Sequence, residues 1–281
     1  MSVGIIGLGT VGTGVARILL EKRREIERRL GFPLLLIRIA YINIKKIKDK
    51  KGIKSPGSFF TADAKAVLND PGIDIVIELI GGIHPAKEFI LEAIKKGKHI
   101  VTANKFLLAT EGSDIFKAAQ KNNVEVGFEA AVAGGIPIIK IIRESLVGNK
   151  IQSIYGIING TSNYILTKMT EEGVDFSTAL KEAQALGYAE ANPKLDVEGI
   201  DAAHKLSILA ALSFGVPFSF KKIYTEGITR ITPLDIKFAS EFGYKVKLIA
   251  IAKHINNKVE LRVHPTMLPK EHMISSVNGV F

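Results

Sequence analysis

The sequence predicts an α/β fold, a doubly wound parallel sheet followed by a second, mixed α+β domain. Three observations predict it. Over the first 130 or so residues short apolar runs alternate with amphipathic segments, the pattern of strands and crossover helices in a parallel sheet. A glycine-rich turn directly follows the first apolar run. At residues 131–137, AVAGGIP, the pattern changes. A chain of 281 residues accommodates one large domain or two smaller ones.

In the first half the strands are apolar runs: VGII at 3–6, LLLIRIAYI at 34–42, IDIVIE at 73–78, HIVT at 99–102 and VEVGF at 124–128. Between them 12–30, 64–69, 85–96 and 113–121 read as helices. After the turn, 138–146 reads as a helix and 151–158 as a strand. Helices follow at 161–171, 177–186 and 197–214, then strand-like runs at 245–253 and 258–263. The domain boundary is expected near residue 130, giving domains 1–130 and 131–273. Residues 275–281 stop without a cap or a terminal helix, as expected of a truncated chain.

Composition excludes several classes. The apolar runs at 34–37 and 249–252 are far too short to span a bilayer, and the start, MSVGIIGLG, lacks the basic and long apolar regions of a signal peptide. A cytoplasmic protein without a membrane partner is expected. The net charge is +10, but the densest cluster, Lys45, Lys46, Lys48, Lys50 and Lys51, has no aromatic interleaved. It reads as a solvated face rather than a nucleic-acid site. The chain has no cysteine, which removes disulfides, cysteine-ligated zinc and thiol nucleophiles.

Gly7, Gly9 and Gly12 form G-x-G-x-x-G between a strand and a helix. In that context each glycine has a purpose: a tight turn, backbone close to a pyrophosphate, and close helix–strand packing. The anion would sit on the helix N-terminus, at Thr10 and Val11, where free N–H groups and the dipole favour negative charge. This is the Rossmann-type dinucleotide fingerprint. An acid at the end of the second strand would select NAD. Here Tyr41, Ile42 and Asn43 are followed by Lys45 and Lys46, which favours NADP, with NAD as the alternative. The crevice beyond the strand ends carries Glu78 to Gly82, Lys105 and Glu129.

Residues 187–212, GYAEANPKLDVEGIDAAHKLSILAAL, begin as a polar loop with Glu190, Asp196 and Glu198 and become an apolar helix. Asp201 and Lys205 lie at i and i+4 on one face. The pair reads either as a lysine placed to move a proton or as an ordinary salt bridge. A rival reading rests on Tyr164 and Lys168, a Y-x-x-x-K pair of the short-chain dehydrogenase kind. A third is a cofactor-binding regulatory protein without catalysis, which would have no use for Glu190, Asp201 and Lys205.

GIIGLGTVG at 4–12, ELIGG at 78–82, TANK at 102–105, FEAAVAGGIPII at 128–139, INGTSNYIL at 158–166 and GYAEANPKLDVEGIDAAHK at 187–205 resemble homoserine dehydrogenase, in order and spacing, along nearly the whole chain. The resemblance implies NAD(P)-dependent interconversion of L-aspartate 4-semialdehyde and L-homoserine in threonine, methionine and isoleucine biosynthesis. It implies that Lys205 donates the proton and that Asp201 binds substrate and orients Lys205. It gives Glu190 to the substrate ammonium, Gly160 and Thr161 to the substrate carboxylate, Tyr188 to the substrate, and Lys105 to both cofactor and substrate. Gly187 and Gly279 become further cofactor contacts, and the carbonyls of Glu129, Val132, Gly134 and Ile136 a structural sodium site, since carbonyl oxygens suit a hard cation. It also implies a homodimer through the second, substrate-binding and dimerisation domain, with 274–281 returning to the nucleotide domain. Asn192 stands where the family commonly has Asp, and Leu195 where a small or polar residue is usual.

Overall fold

The computed structural model describes residues 1–43, 53 and 59–280. The cluster Lys45, Lys46, Lys48, Lys50 and Lys51, which carries part of the NADP argument, and Phe281 lie outside the described residues. The chain forms two compact units, Met1–Ile136 and Pro137–Phe281.

In the first unit the described residues form a six-stranded sheet of β1 (Ser2–Ile6), β2 (Leu35–Ala40), β3 (Phe60–Thr61), β4 (Ile75–Glu78), β5 (His99–Thr102) and β6 (Val126–Gly127). Its order is β3-β2-β1-β4-β5-β6 and every neighbouring pair is parallel. This is the order of a doubly wound dinucleotide sheet, in which ligands bind at the carboxyl ends where the winding reverses. Here the reversal falls between β1 and β4. The strands are mostly apolar because a parallel sheet is covered on both faces; Val3 to Ile6 are all buried.

The connecting helices are α1 (Thr10–Glu21), α2 (Arg23–Leu30), α3 (Lys65–Leu68), α4 (Ala86–Lys95) and α5 (Lys105–Lys121). The single helix expected over 12–30 is two, because Lys22 leaves the helical region (φ −100°, ψ 16°). Helix α5 begins eight residues earlier than its pattern predicts (residue 105 against 113). Its T-E-G-S-D stretch reads as a turn, yet Gly112 is buried against the core, and packing overrides glycine's weak helix propensity.

The second unit contains α6 (Ile138–Lys140), which widens into a π-helical turn at Ile141–Ser145, then β7 (Ser153–Gly156), α7 (Gly160–Glu172), α8 (Phe176–Ala185), α9 (Lys194–Val197) and α10 (Ile200–Phe214). It closes with β8 (Tyr224–Thr225), α11 (Pro233–Glu241), β9 (Tyr244–Ile255) and β10 (Lys258–Pro269). The sheet order is β7-β9-β10-β8. β9 and β10 form a long antiparallel hairpin, from Lys258 opposite Ile255 to Pro269 opposite Tyr244. Asn256 and Asn257 turn it with φ of 49° and 60°, since a two-residue hairpin loop needs positive φ at both positions and Asn tolerates it. Hairpin pairing carries β10 to Pro269, beyond the expected stop at 263.

Val246, Leu248, Ala250 and Ala252 alternate along β9 and pack in the core with Ile165, Leu166 and Leu206 from the helices. Residues 274–280, expected to return to the first domain, group with the second unit instead. The Asn163 amide donates to the carbonyls of Val277 (3.2 Å) and Gly279 (3.1 Å).

Helix α11 is not among the elements expected from periodicity, although Thr232-Pro233-Leu234-Asp235 is a helix-start signature. Thr232 and Asp235 form a reciprocal capping box with Pro233 in the first turn. Thr232→Ala should therefore lower the stability of the second unit by about 1 kcal/mol, measured by thermal or denaturant unfolding.

Candidate functional site

The three fingerprint glycines divide their work as the motif requires. Gly7 has φ +104°, and a Cβ there would lie 2.6 Å from the Leu79 carbonyl carbon and oxygen at the end of β4. A Cβ on Gly12 would come within 2.2 Å of the Gly7 carbonyl oxygen, so only glycine lets α1 approach β1 this closely. Gly9 is different: a Cβ there would meet nothing within 4 Å. It caps α1, so the space before it faces the unpaired N–H groups of Thr10, Val11 and Gly12, the setting in which helices hold phosphate. A cavity of about 610 Å³ adjoins this loop, lined by Gly7, Gly9, Tyr41, Asp63, Ile80 and Phe89 among others. A dinucleotide fits this cradle: two glycines are demanded by protein atoms and the third leaves room for an anion.

A buried carboxylate shapes the adjoining strand ends. Glu78, fully buried, accepts from the backbone N–H of Ile80 (2.7 Å) and Gly81 (3.2 Å) and from the Thr102 hydroxyl (2.8 Å). The Thr102 oxygen in turn accepts from Asn104 N–H (3.0 Å), and the Asn104 amide donates to the Gly82 carbonyl (2.7 Å). Asn104 also caps α5 through Leu107 N–H (3.2 Å), which puts Lys105 at the helix start. ELIGG and TANK are thus one hydrogen-bonded framework. Farther along, the chain turns through Ala133 (φ 59°) and Gly134 (φ 52°). Ala133 is held in a conformation that non-glycine residues reach only under constraint, beside the carbonyl-bearing positions Glu129, Val132, Gly134 and Ile136.

In the second unit one amide organises the site. The Asn159 Oδ1 accepts from Ser162 N–H (2.8 Å) and caps α7. Its Nδ2 donates to Asp196 Oδ1 (2.7 Å) and to Asp201 Oδ2 (3.0 Å). Asp201 is in the first turn of α10, where a carboxylate is favoured by the helix dipole. Lys205 Nζ lies 2.6 Å from Asp201 Oδ2 and donates to the Ile158 carbonyl at 2.7 Å. An exposed pair of this spacing would be worth little, but here the side chains are 9% (Asp201) and 19% (Lys205) exposed. An ammonium has three donors; two go to Asp201 and Ile158, and among the described residues no partner takes the third. Asn159 carries no role in the sequence analysis, although N-G-T-S before a helix is a capping signal, and Asp196 figures there only as an acid of the polar loop.

The loop after α8 rests on the start of α7. The Thr161 hydroxyl donates to the Tyr188 carbonyl (2.7 Å), and Gly187 turns with φ +76°. Gln184 Nε2 holds the Glu190 carbonyl (3.1 Å), and the Glu190 residue is exposed. The Val280 carbonyl lies where a Cβ on Gly160 would be, 2.3 Å away, so the segment containing Gly279 also reaches the start of α7. The structure thus gathers Gly160, Thr161, Gly187, Tyr188 and Glu190 by contacts along this loop and helix start. Gly7, Gly9, Thr10, Val11, Gly12, Lys105 and Glu129 belong to the first unit. Asn192 Oδ1 accepts from Lys194 N–H (3.3 Å), a turn bond that Asp could equally make, and Leu195 is exposed.

The short-chain pair is otherwise engaged. The Tyr164 hydroxyl donates to Glu182 (2.7 Å), which pushes its pKa up to about 12, away from the ionisation such chemistry needs. Lys168 pairs with Glu172 and Glu182, and both carboxylates raise its pKa.

The first unit has the strand order and glycine turn of a dinucleotide-binding domain, and the second carries an oriented acid–lysine pair. A sequence model described as homoserine dehydrogenase, NAD binding domain, matches residues 7–129, and one described as homoserine dehydrogenase matches residues 137–281. The chain belongs to the homoserine dehydrogenase family. It is 49% identical over 280 residues to the homoserine dehydrogenase of Neisseria gonorrhoeae, covering 100% of this chain and 63% of that protein. The crystal structure of a homoserine dehydrogenase from Thiobacillus denitrificans matches with a TM-score of 0.94 and 51% identity, over 100% of this chain and 64% of that one. A hyperthermophilic archaeal homoserine dehydrogenase in complex with NADPH matches with a TM-score of 0.81 and 28% identity, covering 99% and 85%. The chain thus spans a little under two thirds of the length of the Neisseria relative. No helix among the described residues is long and apolar enough to cross a membrane.

Asn159→Ala should remove the α7 cap and one hydrogen bond from each of Asp196 and Asp201. Unfolding in denaturant should show a loss of about 1–3 kcal/mol, against a few tenths for a substitution at exposed Leu195.

Proposed function

We propose that this chain carries the interconversion of L-aspartate 4-semialdehyde and L-homoserine with NAD(P). The observation that supports it most is the sequestered Asp201–Lys205 pair, braced by Asn159 and the Ile158 carbonyl beside the start of α7. A bound nicotinamide cofactor supplies the hydride, or accepts it in the reverse direction. Reduction builds negative charge on the aldehyde oxygen, and Lys205 gives that oxygen a proton; in oxidation it takes the hydroxyl proton. Asp201 keeps the ammonium aimed and contacts the substrate. Glu190 holds the substrate ammonium, and its exposure suits capture of a ligand from solution. Gly160 and Thr161 seat the substrate carboxylate on helix N–H groups, and Tyr188 and Lys105 are further substrate-binding residues in this reading.

For the cofactor, Gly7, Gly9, Thr10, Val11 and Gly12 hold the pyrophosphate, and Lys105, Gly187 and Gly279 add contacts. NADP is the favoured form, because no acid stands at Tyr41, Ile42 or Asn43 to hold a free ribose hydroxyl. A sodium ion bound by the carbonyls of Glu129, Val132, Gly134 and Ile136 would account for the constrained turn at Ala133 and Gly134. A homodimer through the second unit is the expected assembly: exposed Tyr155 and Tyr224 stand on the sheet face opposite the helical core. The same reading puts the reaction in the cytoplasm.

Homoserine oxidation, followed by the absorbance of the reduced cofactor, tests this reading. Lys205→Ala should lose about 10²-fold or more in turnover while cofactor still binds; unchanged turnover sinks the assignment and favours a non-catalytic binding protein. Tyr164→Phe should leave turnover unchanged, and its loss would revive the short-chain mechanism. With both cofactors in parallel, kcat/KM should be higher for NADP.

A further inference from the structure

A second lysine of the same unit is more deeply placed than Lys205. Lys247, in the first half of β9, is 2% exposed. Its ammonium donates to the Val277 carbonyl (2.6 Å), to Asn163 Oδ1 (3.1 Å) and to Asn278 Oδ1 (3.1 Å). All three acceptors are neutral, and three donors meet three acceptors. Burial lowers its pKa to about 8, Lys245 pushes the same way and Glu171 opposes. Burying a charge against neutral partners is unfavourable, and an apolar residue would fit a strand core with less penalty.

The partners explain what the charge does. Residues 277–279 lie outside the sheet and are held by side chains. Asn163, besides accepting from Lys247, donates to the carbonyls of Val277 (3.2 Å) and Gly279 (3.1 Å). The Gly279 N–H donates to Thr167 Oγ1 (3.2 Å), whose hydroxyl donates to the Asn163 carbonyl (2.7 Å). Asn163 and Thr167 are one turn apart on α7, so Lys247 ties β9, α7 and the segment together. The result is felt at the start of α7, where the Val280 carbonyl occupies the space a Gly160 Cβ would need.

We propose that Lys247 is a positioning residue: its ammonium clamps residues 277–280 over the N-terminus of α7 and so shapes the seat at Gly160 and Thr161 and sets the position of Gly279. This rests on the reading of Gly160, Thr161 and Gly279 given under Proposed function. Lys247 touches neither the hydride path nor the proton of Lys205. Its loss is felt in binding first.

Lys247→Met in this chain separates the possibilities. KM for homoserine should rise about tenfold or more, for lost hydrogen bonds from a charged donor, with a smaller change in kcat and an unchanged pH profile of kcat. Hydrogen exchange at the Gly279 amide, which needs no substrate, should accelerate by a similar factor. Asn278→Ala, an exposed change that removes one of the three acceptors, should shift both readouts in the same direction by less and keeps the test open should Lys247→Met fail to fold. In the double variant the two losses should be less than additive, because both act on one contact. Unchanged exchange at Gly279 overturns the clamp. Faster exchange with unchanged KM overturns its link to the substrate seat. Should the unmodified protein bind cofactor but fail to oxidise homoserine, the function fails instead, and the exchange measurement still decides the clamp.

Discussion

The amide of Asn159 joins the three elements on which the second unit's site is built. One atom caps α7 and the other holds Asp196 before α10 and Asp201 within it. Both donors and the acceptor are used in a buried position, where an unsatisfied group is expensive. The position of α7 against α10 is thus tied to the position of one carboxylate. Lys205 follows, because its ammonium is fixed between that carboxylate and the carbonyl of Ile158, the residue before Asn159. The acid–lysine pair is less an isolated ion pair than the outer end of a capping network.

The first unit uses a comparable device without a cation. Glu78 is fully buried, and its neighbours are backbone N–H groups and a hydroxyl. It fastens the glycine turn after β4 to the threonine at the end of β5, and Asn104 carries the framework into α5. Parallel strands end with unpaired backbone groups where the ligand must bind, and a buried acceptor at that edge lets the loops be tight without leaving N–H groups orphaned. The glycines of the fingerprint complete the edge: two are demanded by protein atoms and one by the space in front of it.

Two lysines of the second unit show how context assigns a role. Lys205 faces a carboxylate and keeps a donor in reserve; Lys247 faces only neutral acceptors and spends every donor on the chain itself. The first arrangement suits a group that exchanges a proton with a ligand. The second suits a group that holds backbone. Lys168 is a third case, paired with two carboxylates, one of which also takes the Tyr164 hydroxyl.

Much of this protein was legible in the sequence because its signals are local. Apolar runs of strand length, the glycine spacing at 7, 9 and 12, and an acid and lysine one helical turn apart at 201 and 205 depend on neighbours in the chain, and periodicity reports them. The sequence by itself therefore determined the parallel sheet, the nucleotide turn and the candidate acid–lysine pair. What only the tertiary structure decided depends on residues far apart: Asn159 meets Asp201 across 42 positions, and Asn163 meets Gly279 across 116. No local pattern encodes which amide a carboxylate will find. The same holds for the early start of α5, where buried packing overrules a glycine, and for the length of β10, which its hairpin partner sets. Whether Asp201 and Lys205 formed a surface salt bridge or a sequestered, oriented pair was a question of burial, and burial is a property of the folded chain alone.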